Sequence, residues 1–427
     1  MDTHGEKTGI FAKKGLWIAI GIGLFILIGF ILPTPRSLVE VIEKYGYVEK
    51  MISWEIAHNA SEAAANTMIV LGIVPMAVVF FAVEALPIGV TGILMPLMAY
   101  FFGLLPFNMI GKTFAGDAPL FMLGVFALGA TVVEVGFHKR LAVWLLGWTK
   151  GFWIPMIVLC LSMSIVGSFM SAPAMCSFMV PVLMAVYYGS VKANSPEGEV
   201  VHDPALAKYL LFSLCFALNM GGPGTPSAGG RNVIMMGFFT EYGIPITYAG
   251  WMKYGWPLVP LGSFLLMLYM ATLFSKKIKT RDLTAGQEYI KEETRKMGKM
   301  KYPEYITAGT LFLIVTLWIF GGEATGLGGP ALLALVIPVL FRTVKFEQII
   351  ERISFNAWFM YCGALTLGAL LKESGGALWL ATTFLNALSH VGMEQGYGLW
   401  VGMSTFSGLV TNFMSDAATV ALIGPIV

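Results

Sequence analysis

Two short stretches carry the residues whose types could do chemistry. Phe169-Met170-Ser171-Ala172-Pro173-Ala174 runs on to Pro181, and Phe413-Met414-Ser415-Asp416-Ala417-Ala418 runs on to Pro425 with the same spacing. Each is a polar break in a long apolar run. If one helical limb ends at the serine and another begins there, the second limb offers unpaired backbone N–H groups and the positive end of a helix dipole. That is a setting for the oxygens of an anion. Ser171, Ser415 and Thr419 add hydroxyls. A third break is Gly221-Gly222-Pro223-Gly224-Thr225-Pro226-Ser227-Ala228-Gly229-Gly230, ahead of Arg231 and Asn232. No continuous helix survives that composition. Its carbonyls, as at Gly222 and Gly224, together with Thr225 and Asn232, could ligate a small cation such as Na⁺. For any one Ser or Gly the competing reading is close packing of helices. Recurrence of the whole Phe-Met-Ser-x-x-Ala unit decides for a site.

Four charged residues stand out. Asp416 is the acid at a break, and an ionisable group inside a membrane points to function. It could ligate a cation, carry a proton, or cap the following limb. Arg231 could meet a dianion or pair with a carboxylate. Glu134 and Glu373 sit at predicted helix ends and read as structural. The five histidines never pair at helical spacing, and the four cysteines lie in apolar runs. No transition-metal site or nucleophile–base pair follows, so an enzyme is not expected.

These breaks must be positioned by membrane helices. Hydrophobic residues make up 57% of the 427 and charged residues only 12%, with a mean hydropathy of +0.75. Such a composition belongs to a polytopic membrane protein, all-α in class, with the lipid bilayer as its main partner and no nucleic acid. Lys13 and Lys14 precede an apolar run over about 15–32, which predicts a first span with a cytoplasmic start. An outer loop over about 34–66 follows. Spans of about 20 residues are predicted near 68–84, 88–106, 118–136, 251–274, 304–320, 329–342 and 355–372. A short amphipathic piece over about 139–150 fits the interface. Residues 152–190 are either two spans or one re-entrant hairpin. The positive charge on both flanks (Lys139, Arg140, Lys150 and Lys192) favours the hairpin. A broken span covers about 204–240, and the basic stretch 275–302 reads as a cytoplasmic connector.

The second half repeats the first. Gly124, Leu128, Gly129, Ala130, Glu134, Gly136 and Leu141 return at one offset as Gly363, Leu367, Gly368, Ala369, Glu373, Gly375 and Leu380. Five predicted spans lie between the copies, and an odd number means opposite orientation. The expected organisation is therefore 1–67 as N-terminal helix and outer loop, 68–274 as a first repeat, 275–302 as connector, and 303–427 as an inverted second repeat with an outer hairpin over about 377–427. Inverted repeats, two re-entrant hairpins and a broken helix make up the build of many secondary transporters. The two serine tips would then face each other near the bilayer midplane.

Glu84-Ala85-Leu86-Pro87-Ile88-Gly89-Val90-Thr91, the Gly-Gly-x-Gly-Thr run ending in Asn232, and the paired tips resemble the divalent anion/sodium symporter family, the dicarboxylate and sulfate transporters. The resemblance implies a homodimer in the plasma membrane that moves a small divalent anion with Na⁺ by an elevator motion. Its tips carry a Ser-Asn-Thr motif that binds sodium and substrate carboxylates. Ser171 and Ser415 match the serines, Ala172 and Asp416 replace the asparagines, and Pro173 and Ala417 replace the threonines. Gly230 and Arg231 stand where the family shows Pro-Pro, and an added fixed positive charge replacing sodium would suit an exchanger. By the same resemblance the chain stops at Val427 inside the second limb of the outer hairpin, which implies either a truncated sequence or an incomplete transporter. A cation/proton antiporter centred on Asp416 is the other reading.

Overall fold

The computed structural model describes residues 14–137, 140, 152–169, 172–196, 200–244, 246–390, 392, 395–412 and 415–425. Every described element is helical. Among the described residues five helices are long and apolar enough to cross a membrane: Lys14–Ile31, Ala60–Ala82, Phe107–Val135, Tyr248–Phe274 and Tyr302–Phe320, with Phe346–Arg352 and Phe355–Glu373 a sixth span if taken together. Local sequence explains where several of them begin. Asn59 caps Ala60–Ala82 by accepting the Glu62 N–H at 2.9 Å, and the Glu62 carboxylate reaches back to accept the His58 N–H at 2.8 Å. The first helix ends in a π-turn, Leu27–Ile31, just before Pro33.

The chain divides into two compact units. One comprises Met1–Pro119, Ile234–Pro245 and Ser354–Val427; the other comprises Leu120–Val233 and Ile246–Ile353. In the first unit, helix Phe355–Glu373 crosses Ile88–Phe101 backbone to backbone. A methyl group on Gly363 would overlap the main chain of Gly92, and one on Gly92 would fall 2.7 Å from Cα of Met360. Small residues permit this approach in the membrane, where packing rather than water drives association. Polar ties hold the ends: Thr113 and Thr366 share a hydrogen bond at 2.8 Å, and Glu373 pairs with Lys50 from the short helix Tyr47–Ser53. The loop expected over 34–66 thus holds two short helices and the start of a span.

In the second unit Trp318 is sandwiched between Tyr248, stacked at 4.9 Å, and Phe121, edge-on at 5.0 Å. The limbs Trp153–Gly167 and Ala172–Ala193 both pack on Pro204–Met220 through Leu159, Met163, Met175, Met179, Leu210 and Leu214. Glu134 accepts from Arg352 at 2.6 Å and Gln348 at 2.7 Å, the structural role its helix-end position predicted. The connector is more than a solvated charge run. Its Ile278 and Leu283 are buried, and the Lys279 and Thr280 N–H groups donate to Asp203, at 2.7 and 2.9 Å. The other oxygen of Asp203 caps Pro204–Met220 through the N–H groups of Ala205 and Leu206, each at 3.2 Å. Hydrogen bonds from the Thr284 hydroxyl and N–H hold the exposed Asp282 carboxyl below its usual range.

The order of elements repeats as the sequence did. At the offset of 239 that relates Gly124 to Gly363, the bounds of Ala60–Ala82, Ile88–Phe101, Phe107–Ala115 and Asp117–Val135 fall within three residues of those of Tyr302–Phe320, Gly328–Leu340, Phe346–Arg352 and Phe355–Glu373. The contacts repeat too. A methyl group on Gly124 would overlap Ala331, and Ala331 is the counterpart of Gly92 at the same offset. So in one unit Gly363 meets Gly92, and in the other Gly124 meets Ala331.

Candidate functional site: a braced helix break and a capped elbow

The broken span is two helices, Pro204–Met220 and Gly230–Glu241, joined by a loop with one 3₁₀ turn at Pro226–Ala228. Three sets of contacts hold this loop in the second unit. Ser164 and Ser168, one helical turn apart on the first limb, donate to the carbonyls of Ala217 at 2.8 Å and Gly221 at 3.0 Å. Glycines make this possible, since a methyl on Gly167 would lie 2.8 Å from the Leu218 carbonyl oxygen and one on Gly224 2.5 Å from the Ser168 hydroxyl. The Thr225 hydroxyl donates to the Ser168 carbonyl and lies 3.0 Å from Ser227, whose hydroxyl meets Tyr248 at 2.9 Å. Finally, the buried Asn232 amide spans the loop, donating to Gly222 O at 2.7 Å and Thr225 O at 2.8 Å. Trp251 closes the side by donating to Pro223 O at 2.9 Å.

Gly222, Gly224, Thr225 and Asn232 thus lie together in and beside one loop, with Arg231 next to Asn232 in the sequence, and the loop is held by contacts the sequence did not announce. Ser164, Ser168, Ser227, Tyr248 and Trp251 were not foreseen. The signal that could have found the first two is their spacing of four on an otherwise apolar limb, the pattern that lets hydroxyls serve a neighbouring helix.

The first limb ends at Gly167, with Ser168 as its C-terminal cap, and the second begins at Ala172. The break falls where the sequence placed it. Ser171 itself lies outside the described residues, as do Met170, Phe413, Met414 and nearly all of the predicted interfacial piece 139–150. Ala172 and Pro173 occupy the first turn of the second limb, where a proline lacking its N–H is tolerated.

In the first unit, helix Gly396–Val410 gives way to Asp416–Ile423, and Ser415 is the cap between them. Its hydroxyl accepts the Ala418 N–H at 3.2 Å, while its carbonyl accepts the Thr419 N–H at 2.9 Å and hydroxyl at 3.2 Å. The capping role open to Asp416 thus belongs to Ser415. Asp416 is exposed in the first turn, followed by Ala417, and its negative charge is favoured there by the helix dipole. The stretch expected as one outer hairpin over 377–427 also contains a helix of its own, Gly376–Ser389.

Apolar spans interrupted by a hydrogen-bonded break and a capped elbow define a polytopic membrane protein, and the irregular backbone of the break at Gly221–Ser227 is largely kept inside protein. The chain belongs to the citrate transporter family, whose CitMHS model matches residues 78–427. It is similar to sodium-dependent high-affinity dicarboxylate transporter 3 of Caenorhabditis elegans, 23% identical over 397 residues, covering 82% of this chain and 68% of that protein. An uncharacterized transporter of Haemophilus influenzae is 24% identical, over 83% of this chain and 75% of its own length. The sodium-dependent dicarboxylate transporter SdcS of Staphylococcus saprophyticus is 24% identical, over 84% and 72%. The family expected from the residues and the family found agree.

Proposed function

We propose that this chain is a secondary active transporter moving a small divalent anion, a dicarboxylate or a sulfate-like oxyanion, across the cytoplasmic membrane with Na⁺ as coupling ion. The observation that carries the reading is the break at Gly221–Asn232: a non-helical loop in a membrane helix, pinned by Ser168, Thr225 and Asn232, is costly unless it serves a solute. The dicarboxylate relatives supply the substrate class. In this reading Ser171, Ala172 and Pro173 at one elbow and Ser415, Asp416 and Ala417 at the other bind the anion, with Arg231 adding charge. Ser171, Ser415, Asp416, Thr419 and the loop residues Gly222, Gly224, Thr225 and Asn232 serve the cation.

The two repeats are read as inverted. The odd number of predicted spans between the two copies supports this, together with the return of the element order at one offset. With Lys14 inside and the basic connector cytoplasmic, the N-terminus lies in the cytoplasm. The family resemblance adds a homodimer.

Uptake of labelled succinate or sulfate into proteoliposomes on an inward Na⁺ gradient tests the function. Accumulation above the level in K⁺ is expected. Dye-reported proton movement with no anion uptake would replace this reading with the antiporter.

A further inference from the structure

Four cations follow directly on the membrane helix Leu258–Phe274: Lys276, Lys277, Lys279 and Arg281. All four are exposed, and among the described residues none of their side chains makes an ion pair. The backbone beneath them is nevertheless fixed. Ile278 and Thr280 are buried between the exposed Lys277, Lys279 and Arg281, so inward and outward side chains alternate. The N–H groups of Lys279 and Thr280 are held by the buried Asp203 carboxylate, which itself caps Pro204–Met220. Arg281 folds back on the helix end, its guanidinium donating to Ser275 O at 3.2 Å. Asp282, the acid next in sequence, is engaged by the hydroxyl and N–H of Thr284, at 2.5 and 2.9 Å.

The helix sets the level at which these charges sit. Its exposed apolar residues Leu261, Leu265, Leu268 and Leu273 recur every three to five positions, so one face is open to hydrocarbon. Lys276 follows three residues after Leu273, where that face meets the headgroups. We propose that 276–281 is a binding site for an anionic phospholipid of the cytoplasmic leaflet, its phosphate on Lys277, Lys279 and Arg281 and its acyl chains along the Leu265 and Leu273 face. Phosphate oxygens accept charge-assisted hydrogen bonds from ammonium and guanidinium groups, and a basic cluster just cytoplasmic of a membrane helix meets a negatively charged surface. Asp203 ties the same backbone to Pro204–Met220, so a bound headgroup also steadies the cytoplasmic end of the helix that leads into the Gly221–Asn232 loop. The site is independent of which solute is carried.

The test is melting of the purified full chain in detergent, with phosphatidylglycerol or phosphatidylcholine of the same acyl chains titrated in. Wild type is compared with Lys277→Gln/Lys279→Gln/Arg281→Gln and with Lys277→Arg/Lys279→Arg. A control, Arg36→Gln/Lys44→Gln/Lys253→Gln, removes as much charge from exposed positions elsewhere. Each cation near an anionic lipid surface is worth about fivefold in affinity, so the loss of three should weaken the phosphatidylglycerol response on the order of a hundredfold. Wild type, the arginine variant and the control should be stabilised by phosphatidylglycerol beyond phosphatidylcholine. Should the triple glutamine variant not fold, Lys277→Gln and Lys279→Gln alone should each shift the titration about fivefold. Equal phosphatidylglycerol responses in wild type and the glutamine variants overturn the proposal, as does a control that loses as much as they do. So does a wild type that responds to both lipids alike. A wild-type shift with soluble polyglutamate that matches the phosphatidylglycerol shift also overturns it, since the cations would then serve an acidic protein partner.

Discussion

Asn232 offers the sharpest test of the braced loop. Its amide is buried and donates both hydrogens across the break, to Gly222 O at 2.7 Å and Thr225 O at 2.8 Å. Asn232→Ala removes both bonds at once, but the two carbonyls do not suffer equally. Thr225 O keeps the Ala228 N–H at 3.2 Å, so its loss is that of one ordinary hydrogen bond, about 1 kcal/mol. Gly222 O loses its amide donor in a buried setting, at about 1–3 kcal/mol. The closed loop is therefore destabilised by about 2–4 kcal/mol against open forms. If solute binds only the closed form, apparent affinity falls in proportion to the closed fraction, by up to roughly 30- to 1000-fold. Wild-type stability of the closed form in excess of that needed for full closure reduces the effect. Titration of the purified protein with succinate and with NaCl, read by intrinsic Trp fluorescence or melting, gives the number. Asn232→Asp has the same shape but presents oxygen to both carbonyls and should be at least as damaging. Unchanged affinity for both solutes in Asn232→Ala, with an unchanged melting point, would refute the bracing argument.

Other consequences can be checked alongside it. Gly363→Val and Gly124→Val each drive a branched side chain into a backbone crossing, against Gly92 and Ala331 respectively. Both should abolish monodisperse protein in size-exclusion chromatography, whereas Gly129→Val, at a site with open space around its Cα, should not. Ser415→Ala deletes the cap that accepts the Ala418 N–H and should cost about 1 kcal/mol, with weaker Na⁺ binding, while Ser415→Asn should restore most of the capping. Lys50→Met leaves Glu373 buried without its outer partner; a half-exposed lysine tempers the loss to about 1–3 kcal/mol, read as a lower melting point that Lys50→Met/Glu373→Gln partly recovers.

Breaks and boundaries were legible because they rest on local chemistry. Gly221–Gly230 cannot be helix in any context, and Ser168–Pro173 and Ser415 interrupt apolar runs long enough that each side had to be a helix of its own. The repeat was legible because glycines at helix crossings are constrained by backbone contact, and so Gly124 and Gly363 kept their type. Partners were not legible. Ser164 reaches Ala217 and Lys50 reaches Glu373 across long sequence separations, and apolar membrane segments carry no periodicity that says which face meets which. Asn232 was counted among cation ligands for its oxygen; that its amide nitrogen braces the loop by donating to Gly222 O and Thr225 O was not legible, because sequence gives an amide's presence but not its partners. The connector misled for a related reason. Its charge is conspicuous, while what anchors it, Ile278, Leu283 and two N–H groups on Asp203, is ordinary in composition.

Synthesis order imposes a delay on the Gly92–Gly363 contact. Helix Ile88–Phe101 emerges some 270 residues before the helix that covers its glycine face. At roughly 5–20 residues per second that face waits about 15–50 seconds for its mate. During that interval lipid, the insertion machinery or an early neighbour must occupy the groove and then yield it. Assembly of this unit is thus a late event in the ribosome's passage, and a slow codon run or a pause before residue 355 would lengthen the vulnerable period without altering a single amino acid.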